Sequence, residues 1–244
     1  MNDISNSLQQ NLTQVTSHLT RVRDRVQGAL LEARREPGDA AILAVSKQQS
    51  AAAIEALFRA GQSDFGENFI QEAMEKISNL EDLEIDWHSI GHVQSNKTRD
   101  IAERFQWVHT IDRMKIASRL DDQRPRYSAP LNVCIQVNQA GEAQKTGVEP
   151  AGVADLARGI MELPRLRLRG LMTIPPVTED LTKSAAFFAE LRNQKELLAS
   201  EGIPMDTLSM GMSSDLEIAI QKGATMVRVG TAIFGPRPPK KGKT

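Results

Sequence analysis

The sequence contains little cysteine and few aromatic residues. Of its 244 residues, one is cysteine, one is tyrosine, two are tryptophan and seven are phenylalanine. A single cysteine permits no disulfide within the chain, which is typical of proteins from a reducing compartment. Cys134 lies within the apolar run 131–135. We therefore expect it to be a small buried core residue with an unreactive thiol.

An excess of charge of one sign and long apolar runs are also missing. The 30 Lys and Arg residues are balanced by 31 Asp and Glu residues, whereas a nucleic-acid-binding protein usually carries a basic surface. No apolar run approaches the length that spans a membrane. The first residues also lack the basic and apolar segments of a signal peptide. These absences predict a soluble cytoplasmic protein that binds neither nucleic acid nor membrane.

Residues 1–38 are predicted to form one long amphipathic helix and a turn. Apolar residues recur at steps of three or four over residues 4–35, which is the spacing of a helix with one buried face. Proline and glycine within 36–39 end the helix. The apolar positions are Leu8, Leu12, Val15, Leu19, Val22, Val26, Leu30 and Leu31.

After residue 38, short apolar segments alternate with helical patterns. This alternation predicts an α/β fold with parallel strands joined by helical crossovers. Eight units in this length favour a single (β/α)8 TIM barrel, and a doubly wound sheet is the structural alternative. The predicted strands are 41–46, 63–66, 85–90, 107–110, 131–137, 166–174, 207–210 and 226–229, and the predicted helices are 50–61, 68–80, 94–104, 112–121, 150–161, 180–200 and 214–222. Residues 1–235 are predicted to form one domain and 236–244 a disordered tail.

Lys47 directly follows the first predicted strand. In a barrel, active residues lie where the strands end, on the C-terminal face. Burial lowers the pKa of a lysine and frees its amine to attack a carbonyl. A lysine at the rim of a barrel can also extend into water and do nothing further. The position of Lys47 alone leaves both interpretations open.

The loops after the seventh and eighth strands are frequent phosphate sites in barrels. Ser213 and Ser214 follow the seventh strand, and Ser214 with Glu217 fits the capping box of a helix. Gly230 and Thr231 follow the eighth strand, where glycine allows a ligand to approach closely and hydroxyl and N–H groups bind an anion. An amine at one rim position and an anion site at another together fit a phosphorylated aldehyde.

Other polar residues near strand ends are candidates of a different kind. Asn68 follows the second strand, where its side chain can either hydrogen-bond a ligand hydroxyl or cap the next helix. His88 and His92 are four residues apart, but a strand end and Gly91 lie between them, so the helical spacing of metal-binding histidines does not apply and no metal site is predicted. His109 lies within the fourth strand and is predicted to be a hydrogen-bonded core histidine.

Several short motifs follow one another along the chain. They are LAVSK ending at Lys47, FGEN at 65–68, WHSIGHVQSNK at 87–97, HTID at 109–112, KTG at 145–147, LRGLMTIPP at 168–176, SMGMSSD at 209–215 and VRVGTAIFG at 227–235. Together they resemble the pyridoxal phosphate-binding homeostasis proteins, also called the proline synthase co-transcribed family. That family is similar to the barrel domain of alanine racemase and other fold-type III enzymes. The resemblance covers about residues 41–235 and implies pyridoxal 5′-phosphate as the cofactor.

The resemblance also implies a role for each matching residue. Lys47 would hold the cofactor aldehyde as a Schiff base, and Asn68 would lie close to the ring. Arg228 would face the pyridine nitrogen. Lys145 could assist exchange of the covalent bond or could simply be solvated in its loop. The phosphate group would be held by Ser213, Ser214, Gly230 and Thr231.

The function that the resemblance implies is that of a monomeric carrier, which buffers the cofactor and passes it transiently to apo-enzymes. An arginine at the ring nitrogen only donates hydrogen bonds, so the ring is a weak electron sink. Related racemases take a tyrosine base from a second domain, whereas this sequence ends after the barrel. Its one tyrosine, Tyr127, is expected on the opposite face. The alternatives are a fold-type III racemase or decarboxylase, and a phosphate-binding barrel without aldehyde chemistry.

Overall fold

The computed structural model describes residues 2–141, 146–176, 178 and 180–236. Its eight strands form a closed barrel in which each strand pairs with the next one along the chain. The first and eighth strands close the ring in parallel register, with Ala41 opposite Met226 and Ala44 opposite Val229. The fold is therefore the predicted (β/α)8 barrel, and the doubly wound alternative, whose sheet stays open, is wrong.

Every predicted strand is present, and each of its ends lies within two residues of the predicted end. The strands are β1 Ala41–Val45, β2 Asp64–Glu67, β3 Asp86–Ser89, β4 Trp107–Ile111, β5 Leu131–Gln136, β6 Leu166–Met172, β7 Thr207–Ser209 and β8 Met226–Val229. Almost all of β5 is buried, because a barrel strand faces the packed interior on one side and the helices on the other.

The predicted helices lie between these strands. They are α2 Ala51–Arg59, α3 Ile70–Asn79, α4 Thr98–Arg104, α5 Met114–Gln123, α6 Val153–Met161, α7 Leu181–Ser200 and α8 Leu216–Gln221, and a short α9 Thr231–Phe234 follows β8. Two of them are preceded by a 3-10 turn, Ser95–Lys97 before α4 and Pro150–Gly152 before α6. Helix α2 begins after Ser50, whose hydroxyl accepts a hydrogen bond from the N–H of Ala53.

The N-terminal helix α1, Asn2–Glu32, packs on the outside of the barrel against α2, α8 and α9. Its buried stripe confirms the predicted periodicity and consists of Val15, Leu19, Val22, Val26, Ala29 and Leu30. Leu31, which the apolar pattern also includes, is 79% exposed, because consecutive residues of a helix point in different directions. Within the described ranges, no helix combines the length and the apolar character needed to cross a membrane.

Two predictions about single residues are confirmed. Cys134 is fully buried in β5, and burial raises the pKa of its thiol to about 12. Tyr127 lies between α5 and β5, at the N-terminal end of the barrel, and is 92% exposed. Two of the predictions concern residues outside the described ranges. One is Lys145, and the other is the disordered tail, most of which is residues 237–244.

Candidate cofactor site

The carboxyl ends of the strands surround a cavity of about 480 Å³, which is within the usual range for a small-molecule site. All seven residues predicted as ligands line it, namely Lys47, Asn68, Ser213, Ser214, Arg228, Gly230 and Thr231. Val45, Ile90, Ile174 and Met212 supply the apolar part of the lining. The fold thus brings the predicted residues together, and their role as cofactor ligands stays a prediction.

Lys47 is half-buried at the end of β1, and the residues on either side fix its backbone. Ser46 is fully buried, and its hydroxyl donates to Oε1 of Glu67 at 2.6 Å. Gln48 has a φ of +62°, a left-handed conformation that residues other than glycine rarely adopt. This conformation turns the chain from β1 towards α2 immediately after Lys47.

A buried ion pair lies behind Ser46. Nζ of Lys76 in α3 lies 2.7 Å from Oε1 of Glu67, and it also donates to the Ser46 carbonyl at 2.7 Å and to Glu72 at 2.6 Å. Burial raises the pKa of Glu67, although the positive charge of Lys76 opposes the rise. The sequence does not predict this pair. The four-residue spacing of Glu72 and Lys76 within α3 is the one signal available for part of it.

The loops after β7 and β8 are joined at one side of the cavity. Oγ of Ser213 accepts a hydrogen bond from the N–H of Ala232 at 3.2 Å. Arg25 of helix α1 donates to the carbonyl of Ser213 at 3.0 Å and forms an ion pair with Glu217 at 2.7 Å. The N-terminal helix therefore holds the loop that carries the two serines.

The predicted capping box at Ser214 and Glu217 is wrong. Helix α8 begins at Leu216 with Asp215 at its N-cap, and no side chain caps it. The Asp215 carboxylate instead accepts from the N–H of Met212 at 2.6 Å. Glu217 is drawn to the arginine of α1, because an ion pair with a bidentate guanidinium is stronger than a neutral capping bond.

Asn68 follows β2 and lines the cavity, and its side-chain oxygen Oδ1 is buried. Helix α3 begins at Ile70 with Phe69 at its N-cap, so the alternative in which Asn68 caps this helix is wrong. Among the described residues, Oδ1 of Asn68 finds no hydrogen-bond donor although it is buried. A buried oxygen in that state costs free energy unless a ligand or water donates to it.

Arg228 of β8 places a buried cation at the cavity. Nη1 donates to the carbonyl and the hydroxyl of Ser209 at 2.6 and 2.9 Å, and Nη2 donates to the carbonyl of Thr173 at 2.8 Å. Burial lowers the pKa of the guanidinium to about 10, against the opposing effect of Asp215. Arg228 therefore keeps its charge at neutral pH and is held in one orientation.

The histidines of the predicted motifs have different surroundings. His109 is fully buried and hydrogen-bonded on both ring nitrogens, to Ser209 and to His88, which confirms the predicted core histidine. The side chain of His92 is 44% exposed and lies 3.9 Å from Asp112. In the part of the chain that the structure describes, no three histidine, cysteine or acidic side chains are grouped so that they could hold a metal ion.

Comparison with known proteins agrees with this geometry. The chain matches the family model of the alanine racemase N-terminal domain over residues 8–238. The pyridoxal phosphate homeostasis protein of Pseudomonas aeruginosa is 51% identical over 226 residues, which are 93% of this chain and 97% of that protein.

Solved structures show the same relationship. PipY of Synechococcus elongatus PCC7942, with PLP bound, has a TM-score of 0.80 at 35% identity, over 91% of this chain and 100% of that one. Alanine racemase of Corynebacterium glutamicum has a TM-score of 0.71 at 17% identity, over 95% of this chain and 64% of that one, which is a likeness of fold alone. The chain belongs to the alanine racemase N-terminal domain family and, within it, to the pyridoxal phosphate homeostasis proteins.

Proposed function

We propose that this protein binds pyridoxal 5′-phosphate in the cavity at the carboxyl ends of the strands and acts in the homeostasis of that cofactor, as a carrier and buffer. The observation that carries the proposal is the lining of one cavity by an amine, a buried guanidinium and two loops with hydroxyl and N–H groups. These groups are complementary to an aldehyde, a pyridine nitrogen and a phosphate. A cavity of about 480 Å³ is large enough for one such molecule.

Lys47 is the residue that we assign to the aldehyde. When bound, pyridoxal phosphate supplies an aldehyde carbon that a lysine amine can hold covalently as a Schiff base. Buried Ser46 on one side and left-handed Gln48 on the other fix the point from which the Lys47 side chain enters the cavity. Fixing the backbone reduces the conformational entropy that is lost when the side chain is immobilised.

The two joined loops are assigned to the phosphate. Hydroxyl groups and main-chain N–H groups satisfy phosphate oxygens by donating to them. Ser213 is already ordered by the N–H of Ala232, and Arg25 holds its carbonyl from outside the barrel. Ser214, Gly230 and Thr231 complete this side of the cavity.

Arg228 and Asn68 are assigned to the ring. A guanidinium only donates hydrogen bonds, so a ring nitrogen that faces Arg228 stays an unprotonated acceptor. An unprotonated ring stabilises a carbanion poorly, which favours holding the cofactor over using it. The buried Oδ1 of Asn68 is an acceptor that the ring hydroxyl can satisfy.

The lining of the cavity supports a carrier over an enzyme. Among the described residues that line it, Lys47 is accompanied by no imidazole, carboxylate or phenol, whereas a racemase needs a second proton-transferring group. Tyr127 is exposed at the other end of the barrel. We further propose a cytoplasmic monomer that meets apo-enzymes transiently. The alternative is a fold-type III racemase or decarboxylase that uses Lys47 or Lys145 as its base.

The binding proposal is tested with visible spectra and a transfer assay on the wild type, Lys47→Ala and the matched control Lys115→Ala, which changes an exposed lysine of α5. We expect the wild type and the control to keep bound cofactor through gel filtration and to reactivate a cofactor-dependent apo-enzyme. Lys47→Ala should lose the covalent absorption band. Borohydride reduction and peptide mapping should place the adduct on Lys47. Binding without such an adduct would instead support the alternative of a phosphate-binding barrel without aldehyde chemistry.

The carrier proposal is tested by exchange of α-protons for deuterium in each amino acid with the holoprotein. We expect exchange no faster than with free pyridoxal phosphate. Stereospecific exchange well above that level, and lost in Lys47→Ala, would replace the carrier with the enzyme alternative. Light scattering after gel filtration should give the mass of one chain, 26.9 kDa.

A further inference from the structure

A line of five polar side chains crosses the interior of the barrel. It runs from Asp64 at the start of β2 through His88 and His109 to Ser209, and it ends at Arg228 in the cofactor cavity. Successive polar atoms are 3.1 Å apart between Asp64 and His88, 2.9 Å between the two imidazoles, 2.8 Å from His109 to the serine hydroxyl and 2.9 Å from there to the guanidinium. A barrel interior is ordinarily filled by branched apolar side chains, so a continuous polar line needs a reason.

The two ends of the line set its direction. A guanidinium only donates hydrogen bonds, and an ionised carboxylate only accepts them. Because the Ser209 hydroxyl accepts from Arg228, its own hydrogen is left for Nδ1 of His109. The hydrogen of His109 then lies on Nε2 and goes to Nδ1 of His88. The hydrogen of His88 also lies on Nε2 and goes to Asp64.

The opposite direction satisfies fewer groups. If Nδ1 of His109 donated to Ser209, Nε2 of His109 would have to accept from His88. His88 would then carry a hydrogen on both nitrogens and be charged while fully buried. The hydrogen of the Ser209 hydroxyl would have no acceptor among the hydrogen bonds of the described residues. Both features cost free energy in a barrel interior.

We propose that His88, His109 and Ser209 are positioning residues for Arg228, and that both imidazoles are neutral with their hydrogen on Nε2. The one-directional line from Asp64 fixes the orientation of the guanidinium. The effect on the cofactor ring rests on the proposed function, which places that ring against Arg228. The line conducts no proton into the cavity, since its inner end is an arginine that keeps its charge.

Burial and nearby charge agree with a neutral His109. Burial lowers the pKa of His109 well below its ordinary value, and the positive charge of Arg228 lowers it further. Burial tends to raise the pKa of the Asp64 carboxyl, but the hydrogen bond from Nε2 of His88 favours the ionised form, and the pKa is lowered. Three other charged groups lie near the line. Asp86 is close to Asp64 and His88, and Asp215 is close enough to Arg228 to affect its pKa. Arg169 lies over the ring of Trp107, on which His88 stacks.

The direction of the line is tested by nitrogen-15 NMR of the histidine side chains in the protein freed of cofactor, at neutral pH. The chain has four histidines, so His18→Gln and His92→Gln identify the signals of the two histidines outside the line. We expect His88 and His109 each to show a protonated Nε2 and an unprotonated Nδ1. A hydrogen on Nδ1 of His109, or a charged His88, would overturn the proposal.

The positioning role is tested by Ser209→Ala, with Ser209→Thr to restore the hydroxyl and Ser89→Ala as the matched control. Ser89 is a buried serine of β3 whose hydroxyl has no partner among the described residues. We expect Ser209→Ala to mix the tautomers of His109 and to weaken pyridoxal phosphate binding roughly tenfold. Ser209→Thr should restore most of the His109 tautomer and of the affinity for pyridoxal phosphate. Ser89→Ala should change neither the tautomer nor the affinity. Unchanged tautomers and affinity in Ser209→Ala would refute the role.

The two measurements separate this inference from the proposed function. If the protein shows the predicted tautomers but does not bind pyridoxal phosphate, the proposed function is wrong and the direction of the hydrogen bonds is still supported. If the protein binds pyridoxal phosphate tightly but shows the opposite tautomers, the proposed function is supported and the direction of the hydrogen bonds is wrong. If Ser209→Ala does not fold, the wild-type spectrum and the affinity of Ser209→Thr decide the question.

Discussion

Replacing Lys76 by methionine is expected to destabilise the protein strongly at neutral pH. The substitution leaves the carboxylate of Glu67 buried without its cation, since the side chains of Lys76 and Glu67 are 7% and 0% exposed. Methionine is a flexible side chain of similar length, so the substitution removes a charge and its hydrogen bonds while it retains most of the packing.

The contacts set the size of the effect. Breaking a buried ion pair by removing one partner costs about 3–5 kcal/mol. Glu67 keeps the hydrogen bond from Ser46 at 2.6 Å, and the side chain of Glu72 is 28% exposed and can return to water. The carbonyl of Ser46 loses the Lys76 donor but keeps the N–H of Gln49 at 3.0 Å. We therefore expect a loss near the lower end of that range, about 3 kcal/mol, which raises the unfolding constant more than ~100-fold.

The assay is urea unfolding of the cofactor-free protein, followed by circular dichroism at pH 8. The control Lys115→Met removes an exposed lysine of α5 and should change the free energy of unfolding by less than about 0.5 kcal/mol. The double variant Lys76→Met/Glu67→Gln has no charge at either position of the pair and should recover most of the lost free energy of unfolding. The double-mutant cycle then isolates the energy of the pair.

The pH dependence gives a second check on the same pair. The pKa of Glu67 is raised in the folded protein, so the stability that its protonated form provides is present at low pH and is lost as the pH rises through the raised value. Without Lys76 this pKa rises further, and the loss in Lys76→Met should be smaller at pH 5 than at pH 8. The reasoning would be refuted if Lys76→Met lost less than about 1 kcal/mol of unfolding free energy at pH 8. It would also be refuted if the double variant lost as much as Lys76→Met.

Three further substitutions or reactions test other parts of the structure. Gly211→Ala should lower the melting temperature, because φ is +90° there and a Cβ would lie 2.4 Å from that of Ala219; an unchanged melting curve would contradict the close contact. Cys134 is buried and its pKa is raised to about 12, so mass spectrometry should find iodoacetamide labelling only after unfolding. Tyr127→Phe should leave cofactor retention unchanged, since Tyr127 is 92% exposed; reduced retention would place its loop near the site.

The barrel and the position of Lys47 could be predicted from the sequence because both depend on local order. Most strands lie in short segments rich in apolar residues, and each strand's neighbour in the chain is also its neighbour in the sheet. The ends of parallel strands lie on one face, so residues that follow strand ends are expected to meet. That reasoning selected Asn68 and Ser213 as well as Lys47, and all three line the same cavity.

The supports behind the cavity could not be predicted in this way because they join distant parts of the chain. His109 and Ser209 are 100 positions apart, and Arg25 and Glu217 are 192 apart. Which strands face each other across the interior depends on the tilt and stagger of the closed barrel, which no local pattern contains. The capping box at Glu217 was wrong for the same reason, since its competing partner lies on α1.

The two charged residues of the cavity and its serine loop each have a support from a strand or helix. Lys76 of α3 holds the carbonyl that precedes Lys47, and Ser209 of β7 holds Arg228. Arg25 of α1 holds the serine loop. A carrier binds its ligand only in the ground state, so its affinity depends on how far the groups are already in place. Helix α1 also packs against α2, which follows Lys47, so one outer helix supports both sides of the cavity.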